Sequence, residues 1–380
     1  MRGYNAKKSM AMTPQSRMRG YLQLVATGPE LSRSLNVTQA EDAMSMILNG
    51  EIDEVRTGIF LIALRMKRES DEENLGILNA LIREMEQAEV RCPEVLVLAD
   101  PFNGYLRGLS ATAFLPAVFA ASGLPSYLHG LHAVGPKYGI TANMILAAAG
   151  ANVDASVTEA AVSLENPEIG WAYIDQKRYI PPLADLVGLR DVMVKRSCIS
   201  TLEVILRPLC GARCTHLMTG FVHRAYPPVY AMLARHAGYG SASIVRGVEG
   251  GCIPSLSQVS RYFGYRGEAE MEVYKLTPSE LGIHQEKRAI PIPDEHAPAI
   301  ANTGFLNTGV LADLVELNLE LGIDALANKP GPMLDSLVYS AAIGLKQSGM
   351  NRTLAEGAAQ ARKVIARGEA LARFKAGRAQ

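Results

Sequence analysis

The sequence predicts an α/β protein: a small N-terminal helical bundle domain, then a larger α/β domain with a mostly parallel central sheet and flanking helices. Three observations carry this. The chain has 380 residues and 48% hydrophobic content, enough for a large core and more than one domain. Over residues 38–88 apolar positions recur at helical spacing, as in Leu75, Leu78, Leu81, Ile82 and Met85. After Pro93 the texture changes to short apolar runs separated by glycine-containing loops and helices, the pattern of βαβ units.

The elements follow in order. Residues 1–19 carry Arg2, Lys7, Lys8, Arg17 and Arg19 without an acid and without the apolar block of a secretory signal, and are read as a loose basic arm. The helical domain is expected over residues 20–92, completed by helices within 165–200. In it, Asn49-Gly50 stops one helix, and Ser70 with Glu73 three residues on forms a capping box that starts another. The α/β domain is expected over 93–165 and 200–376. Its strands are placed at "VLVLAD" (95–100), "SYLHG" (126–130), "HLMTGF" (216–221), "SASIVRG" (241–247) and "MEVYKL" (271–276). Residues 287–298, rich in Pro and charge, read as a surface loop. Helices are expected near 308–321, 334–347 and 353–375, the last capped by Thr353 with Glu356 completing the box.

Net charge is zero but unevenly placed. The first twenty residues are wholly basic in charge, and residues 362–380 hold six basic groups against Glu369, so the body between them is acidic. An acidic body repels polyanions, and nucleic-acid binding would need the arms or a local patch. One basic patch lies between Trp171 and Arg224, with Lys177, Lys195, Arg196 and Arg224 among its members; most such long side chains are expected on solvated faces. Five cysteines, few and odd in number, fit reduced thiols in the cytoplasm. "CGARCTH" (210–216) lacks the second ligand pair of a zinc site and reads as small buried thiols. No apolar run approaches the roughly 20 residues of a membrane span.

Four stretches then stand in a telling order: "ILNGEIDEVRTGIFLIALRMKRESDEE", "HGLHAVGPKYG" (129–139), "LTPSELGI" (276–283) and "DSLVYSAAIGLKQSGMNRTLAEGAAQARKVIARGEAL" (335–371). They resemble the anthranilate phosphoribosyltransferase family, a glycosyltransferase family 3 group sharing its fold with pyrimidine nucleoside phosphorylases. The resemblance covers about residues 20–375. It implies a helical domain hinged to an α/β domain, substrates in the cleft between them, and a homodimer formed through the helical domain.

Motif by motif, the resemblance thins where chemistry is expected. The family's loop after the first strand of the α/β domain reads Gly-Thr-Gly-Gly-Asp-Gly, whose backbone N–H groups approach a diphosphate. Here it is "DPFNGY" (100–105), with Asn103 and Gly104 as the remaining candidates and Phe102 and Tyr105 filling the space. Ser110 and Thr112 stand at the following helix start, as anion contacts or ordinary caps. Where the family has Lys-His-Gly-Asn and then Arg, the chain has Leu128, His129, Gly130, Leu131 and His132. His129 is either a cleft residue or a packed structural histidine. Lys137 matches a family lysine and is the anion candidate of its loop. After "SIVRG" the family places adjacent acids that bind magnesium; Cys252 and Ile253 stand there instead, leaving Glu249 as a weak metal contact. Lys195 and Arg196 are the cations nearest the family's aromatic-acid pocket, and Arg246 ends the "SIVRG" strand.

Stabilising a departing diphosphate requires charge at the leaving group, and the glycine cradle, the neighbouring lysine and the acid pair are all missing. The expectation is therefore a protein of the divergent branch that includes the nucleic-acid-binding YbiB-like proteins. It would bind an anionic ligand, a phosphorylated small molecule or single-stranded nucleic acid, in the cleft, with no cofactor. The alternative is an active pentosyl or phosphoribosyl transferase on another acceptor, using magnesium at Glu249. A plain interaction protein is the third reading.

Overall fold

The computed structural model describes residues 12–28, 30–296 and 308–379. It divides into two compact units, Met1–Arg83 and Glu84–Gln380. Arg2, Lys7 and Lys8 of the expected basic arm, and the end of the expected 287–298 loop, lie outside the described residues.

The first unit is built from α1 (Pro14–Val25), α2 (Val37–Leu48), α3 (Glu54–Lys67) and α4 (Asp71–Glu84). The basic arm is thus partly helix. Thr13 accepts from the Ser16 N–H, Pro14 sits in the first turn, and Met18 and Val25 are buried on one face. Its arginine is tied down too: Arg17 lies 3.4 Å from the Asp42 carboxylate of α2, which also accepts from the Tyr21 hydroxyl at 2.8 Å. The expected stop at Asn49-Gly50 and start at Ser70 are both present. The Ser70 N–H donates to Glu73 at 2.8 Å and the Glu73 N–H to Ser70 Oγ at 3.3 Å.

Glu73 does more than cap. It is fully buried, with one oxygen accepting from the Leu35 N–H at 2.9 Å and the other from Lys67 Nζ at 2.5 Å. One carboxylate thereby fixes the entry to α2, the end of α3 and the start of α4. Met44, Ile47, Phe60, Leu64 and Ile77 of this unit are buried, as are Leu78, Leu81 and Met85 of the periodic apolar positions of the sequence.

The second unit is organised by a seven-stranded sheet in the order β4-β3-β2-β6-β7-β8-β9. Its strands are β2 (Glu94–Ala99), β3 (Ser126–Gly130), β4 (Trp171–Asp175), β6 (Cys214–Gly220), β7 (Ser241–Val245), β8 (Ser260–Arg266) and β9 (Glu272–Leu276). The first five in spatial order are parallel, and β8 and β9 extend the sheet antiparallel. A parallel pair, β1 (Ala88–Val90) with β5 (Leu209–Gly211), stands apart. All five expected strands are found. β4 and β8 were not expected: "WAYID" and "SRYFGYR" mix aromatic, charged and glycine residues, and neither reads as an apolar run.

Between the strands run α5 (Leu115–Ala121), α6 (Ala142–Ala148), α7 (Val157–Glu165), α8 (Gln176–Tyr179), α9 (Pro181–Ala184), α10 (Val187–Met193), α11 (Ile199–Leu202) and α12 (Tyr226–His236). The helices within 165–200, expected to complete the helical domain, group with the second unit. The chain closes with α13 (Thr308–Leu326), α14 (Pro332–Gln347), α15 (Leu354–Ala366) and α16 (Glu369–Arg378). The single last helix of the sequence reading is two, because Gly368 takes a left-handed φ of 74° between them. α16 then packs Phe374 flat on Trp171 at 5.7 Å, and Trp171 Nε1 donates to the Arg373 carbonyl at 2.8 Å. The basic C-terminal segment is therefore a docked helix. No helix of the described residues is long and apolar enough to cross a membrane.

Replacing Glu73 by Ala would leave Lys67 and two backbone N–H groups without their shared acceptor. Breaking such a buried pair costs about 3–5 kcal/mol. Urea unfolding of Glu73→Ala should show the helical unit destabilised on this scale, with the exposed neighbour Glu72→Ala close to wild type.

Candidate functional site

Parallel strands send their following loops out at one edge of the sheet, the place where open α/β sheets hold ligands. The loop after β2, residues 100–111, tests that expectation, and several of its backbone donors are already used. The Gly104 N–H donates to the Pro101 carbonyl at 2.9 Å, Tyr105 to Ile140 at 2.9 Å and Leu109 to Ile290 at 3.0 Å. The Ser110 N–H donates to Asn318 Oδ1 of α13 at 2.8 Å, and Asn318 Nδ2 returns a bond to the Ser110 carbonyl at 2.8 Å. The loop is stitched to its neighbours, not held open.

Bulk explains the rest of its shape. Phe102 and Tyr105 are buried, and Tyr105 lies against the backbone of Gly251. A Cβ built on Gly251 would fall 1.6 Å from the Tyr105 hydroxyl and 2.7 Å from Asp100 Oδ1, so only glycine fits. Gly104 has φ 69° and backs onto the Gly139 carbonyl, the residue before the Tyr105–Ile140 bridge. Asp100 is buried at the centre. It accepts from the Cys252 N–H at 2.8 Å, and burial raises its carboxyl above the usual range.

Two remaining loop donors converge on a carboxylate. The Leu106 N–H lies 3.1 Å and the Arg107 N–H 2.6 Å from Glu249 Oε1, and Lys137 Nζ pairs with Glu249 Oε2. Lys137 also donates to the Gly104 carbonyl. Burial lowers the Lys137 pKa against the pull of Glu249, with Arg196 and Arg107 adding to the lowering. Lys137 and Glu249, singled out in the sequence for an anion and for a metal, are each other's partner.

The other candidates fall into three groups. Asn103 is brought to Arg196: with its amide oriented to satisfy both, Asn103 O accepts from Arg196 Nε and Nη2 at 2.9 Å each. Ser110 and Thr112 are buried and share a bond at 2.9 Å between their hydroxyls, with Ser110 Oγ 3.5 Å from Asp100. His129 is a packed residue. It is buried, its Nδ1 lies 2.9 Å from the Tyr179 hydroxyl, Phe102 meets it edge-on, and burial lowers its pKa to about 3. Gly130 beside it ends β3. Lys195 and Arg246 are exposed.

Sequence reasoning missed Arg107 and the pairing of Arg190 with Glu203, and it named Arg224 only as a member of a basic patch. Arg107 and Arg224 are exposed on the loops after β2 and β6, and no carboxylate pairs with them, with Lys195 or with Arg246 among the described residues. Arg190 and Glu203 form a buried bidentate pair at 2.8 Å for both bonds, tying α10 to the turn after α11 and so fixing the segment that carries Lys195 and Arg196.

Against known proteins, residues 19–85 match the glycosyl transferase family, helical bundle domain. The anthranilate phosphoribosyltransferase of Paramagnetospirillum magneticum is 27% identical over 93% of this chain and 93% of its own length. An uncharacterized protein of Aquifex aeolicus is 25% identical over 87% of this chain and 93% of its own. The crystal structure of the Thermus thermophilus anthranilate phosphoribosyltransferase matches with a TM-score of 0.71 at 20% identity, covering 97% of this chain and 99% of that one. The Saccharomyces cerevisiae enzyme in complex with PRPP and Mg gives 0.72 at 16% identity, covering 95% and 96%. Residues 19–85 thus match a glycosyl transferase helical bundle domain, and the chain as a whole is similar in sequence and in fold to anthranilate phosphoribosyltransferases.

The low identity fits a divergent relative of these enzymes. Magnesium, present in the yeast structure, prefers several hard oxygen ligands. In this anthranilate phosphoribosyltransferase-like chain Glu249 is turned to an ammonium and two N–H donors, and the Cys252 thiol lies 3.3 Å from the Met218 carbonyl. Among the described residues no group of three His, Cys, Asp or Glu is arranged to hold a metal ion. The residues after β7 do not fit magnesium.

The depressed His129 has a pH consequence. Unfolded, it takes a proton below its ordinary pKa of 6.5; folded, it resists until about 3. The stability it allows is complete above the unfolded pKa and is lost as pH falls through the window from 6.5 towards 3, by at most about 1.4 kcal/mol per pH unit. His129→Phe should flatten the fall in the urea midpoint between neutral and acidic pH. An unchanged slope would show that the histidine is solvated.

Proposed function

We propose that this protein does not transfer phosphoribosyl groups to anthranilate and instead binds an anionic, phosphate-bearing ligand at the loop edge of its sheet. The observation that carries this reading is a mismatch of charge at that edge. Glu249 occupies the loop amides and Lys137, while Arg107, Lys195, Arg224 and Arg246 are exposed without a carboxylate partner among the described residues. These groups follow β2, β6 and β7, adjacent strands of one parallel array, or the turn fixed by Arg190 and Glu203. Next to Arg224, the rings of His223 and Tyr226 lie 6.1 Å apart. Cations interleaved with aromatic faces suit a single-stranded nucleic acid, whose phosphates and bases they meet separately.

Calorimetry with magnesium and phosphoribosyl diphosphate should give no micromolar binding. Electrophoretic shift of single-stranded DNA should be lost steeply as salt rises, since each neutralised phosphate adds to the salt slope. Arg224→Ala and Arg246→Ala should each weaken binding and lower that slope by about 0.7. Tight binding of the diphosphate with magnesium would instead support the active transferase.

The helical unit supplies a second proposal, a homodimer through α3. Val55, Ile59 and Met66 are 71%, 47% and 78% exposed and recur on one face of that helix. Burying such a stripe against its copy removes apolar surface from water. Light scattering should find a dimer, and Ile59→Asp with Met66→Asp should halve the mass while circular dichroism stays the same.

A further inference from the structure

At one end of the seven-stranded sheet stands β4, and no strand pairs with its outer side among the described residues. Parallel pairing fixes which of its backbone groups are used. The Ser126 N–H of β3 donates to the Gly170 carbonyl at 3.1 Å, with Ser126 opposite Trp171 in register. Alternation then turns Ala172 and Ile174 towards β3 and leaves the N–H and C=O groups of Trp171 and Tyr173 pointing outwards. Neither residue is open to solvent. Trp171 and Tyr173 are 3% and 4% exposed, and their outward backbone groups have no partner among the described residues. Buried backbone groups of native proteins are almost always paired, so these call for a partner that the chain does not supply.

A cavity of about 260 Å³ lies beside them, lined by Trp171, Ala172 and Tyr173. Side chains alternate between the two faces of a sheet, so three consecutive residues line one cavity only where it runs along the strand's edge. Across from them stand Ala155, just before α7, and Glu159 and Ala160 of that helix. Alanine on both walls leaves a slot where larger side chains would have met in a packed contact.

Length, size and charge select the occupant. The free edge is two outward residues long, because beyond Tyr173 the chain turns into α8, with Asp175 accepting from the Lys177 N–H at 2.9 Å. An added peptide strand typically takes roughly five or six residues, so this edge fits a single ring instead. The volume falls just below the roughly 300–1,000 Å³ of drug-sized sites, which suits a fused ring system without phosphates. Among the described residues of the lining, Glu159 is the one charged group, its carboxylate accepting from the N–H and hydroxyl of Ser156 at 2.8 Å each. With an acid and no base beside it, an anion is repelled.

We propose that this slot binds a neutral, planar heterocycle whose rim carries a hydrogen-bond donor next to an acceptor, the edge of an aminopurine. The ring's acceptor takes the Tyr173 N–H and its donor meets the Trp171 carbonyl, two residues apart on the open side of β4. Held between the alanine walls, the ring extends the sheet by one rung. The site is independent of the anion-binding reading of the loop edge, which stands on the loops after β2, β6 and β7, with β3 between β4 and the nearest of these strands.

The probe is adenine. Trp171 is the one tryptophan of the sequence, so its emission reports on the slot directly. Adenine titrated into the full-length protein should change that emission saturably, and the Tyr173 amide resonance should move with the same midpoint. The ligand is uncharged, so the midpoint should hold as salt is raised, in contrast to retention of single-stranded DNA. Ala160→Leu places a larger side chain in the slot and should weaken adenine binding about tenfold or more. The Tyr173 readout in wild type does not depend on that variant folding. Constant Trp171 emission together with a stationary Tyr173 amide at millimolar adenine would overturn the proposal and leave the loop-edge reading untouched. A change of emission without movement of the Tyr173 amide would overturn it as well, as would equal affinity in a folded Ala160→Leu.

Discussion

The loop edge of the sheet is governed by one ion pair. Lys137 comes from the loop after β3 and Glu249 from the loop after β7, and in the strand order these are separated by β2 and β6. With neighbouring strands about 4.8 Å apart, the pair spans roughly three strand spacings. It does so by closing over the end of β2, where it holds Leu106 and Arg107 by their amides and Gly104 by its carbonyl. Without the pair, Glu249, held at a left-handed φ of 52°, and a poorly hydrated lysine would both be left exposed to unfavourable surroundings. The closed shape of the 100–111 loop, the burial of Phe102 and Tyr105, and the close approach of Gly251 are all compatible with this clasp.

Local chemistry made most of the fold legible. Asn49-Gly50, Ser70 with Glu73, and Thr353 with Glu356 are signals within a few residues of each other, and each marks the element end it predicts. Of the strands that were found, β2 is a continuous apolar run buried along nearly its whole length; β4 and β8 carry aromatic or charged side chains, and their strand character comes from neighbours in the sheet. The candidate site was legible residue by residue but not as an arrangement. Lys137 and Glu249 each drew attention, as did Asn103 and Arg196, yet their pairing joins loops far apart in sequence. Nothing local encodes such a pair, so an acid read as a metal contact turned out to neutralise a lysine read as an anion contact.

Net charge was equally poor as a guide to the local field. An acidic body still presents Arg107, Arg224 and Arg246 in the loops after strands and Lys195 after α10, while acids such as Asp313, Glu316 and Glu320 are exposed on α13. Potentials near a surface follow the nearest charges within about 8–10 Å, beyond which salt screens them. Repulsion from the body as a whole therefore weakens long-range attraction of a polyanion more than it weakens contact at the edge.

Ligand sites usually trade stability for readiness, because donors aimed at a future partner go unsatisfied until it arrives. Here many of the donors have been given partners from within: Pro101, Ile140, Ile290, Asn318 and Glu249 take up the N–H groups of Gly104, Tyr105, Leu106, Arg107, Leu109 and Ser110. Such a loop is stable without any ligand, and a ligand gains nothing from amides bonded to the backbone of other loops. Among these acceptors, Glu249 differs from the carbonyls in one respect. A carbonyl in a bridge such as Tyr105–Ile140 cannot leave without breaking the returned bond from Ile140 to Tyr105, whereas a side-chain carboxylate can change partner while the backbone around it holds. The side chain of Glu249 and the exposed cations are therefore the groups at this edge that can exchange partners without breaking the backbone bonds of the loop.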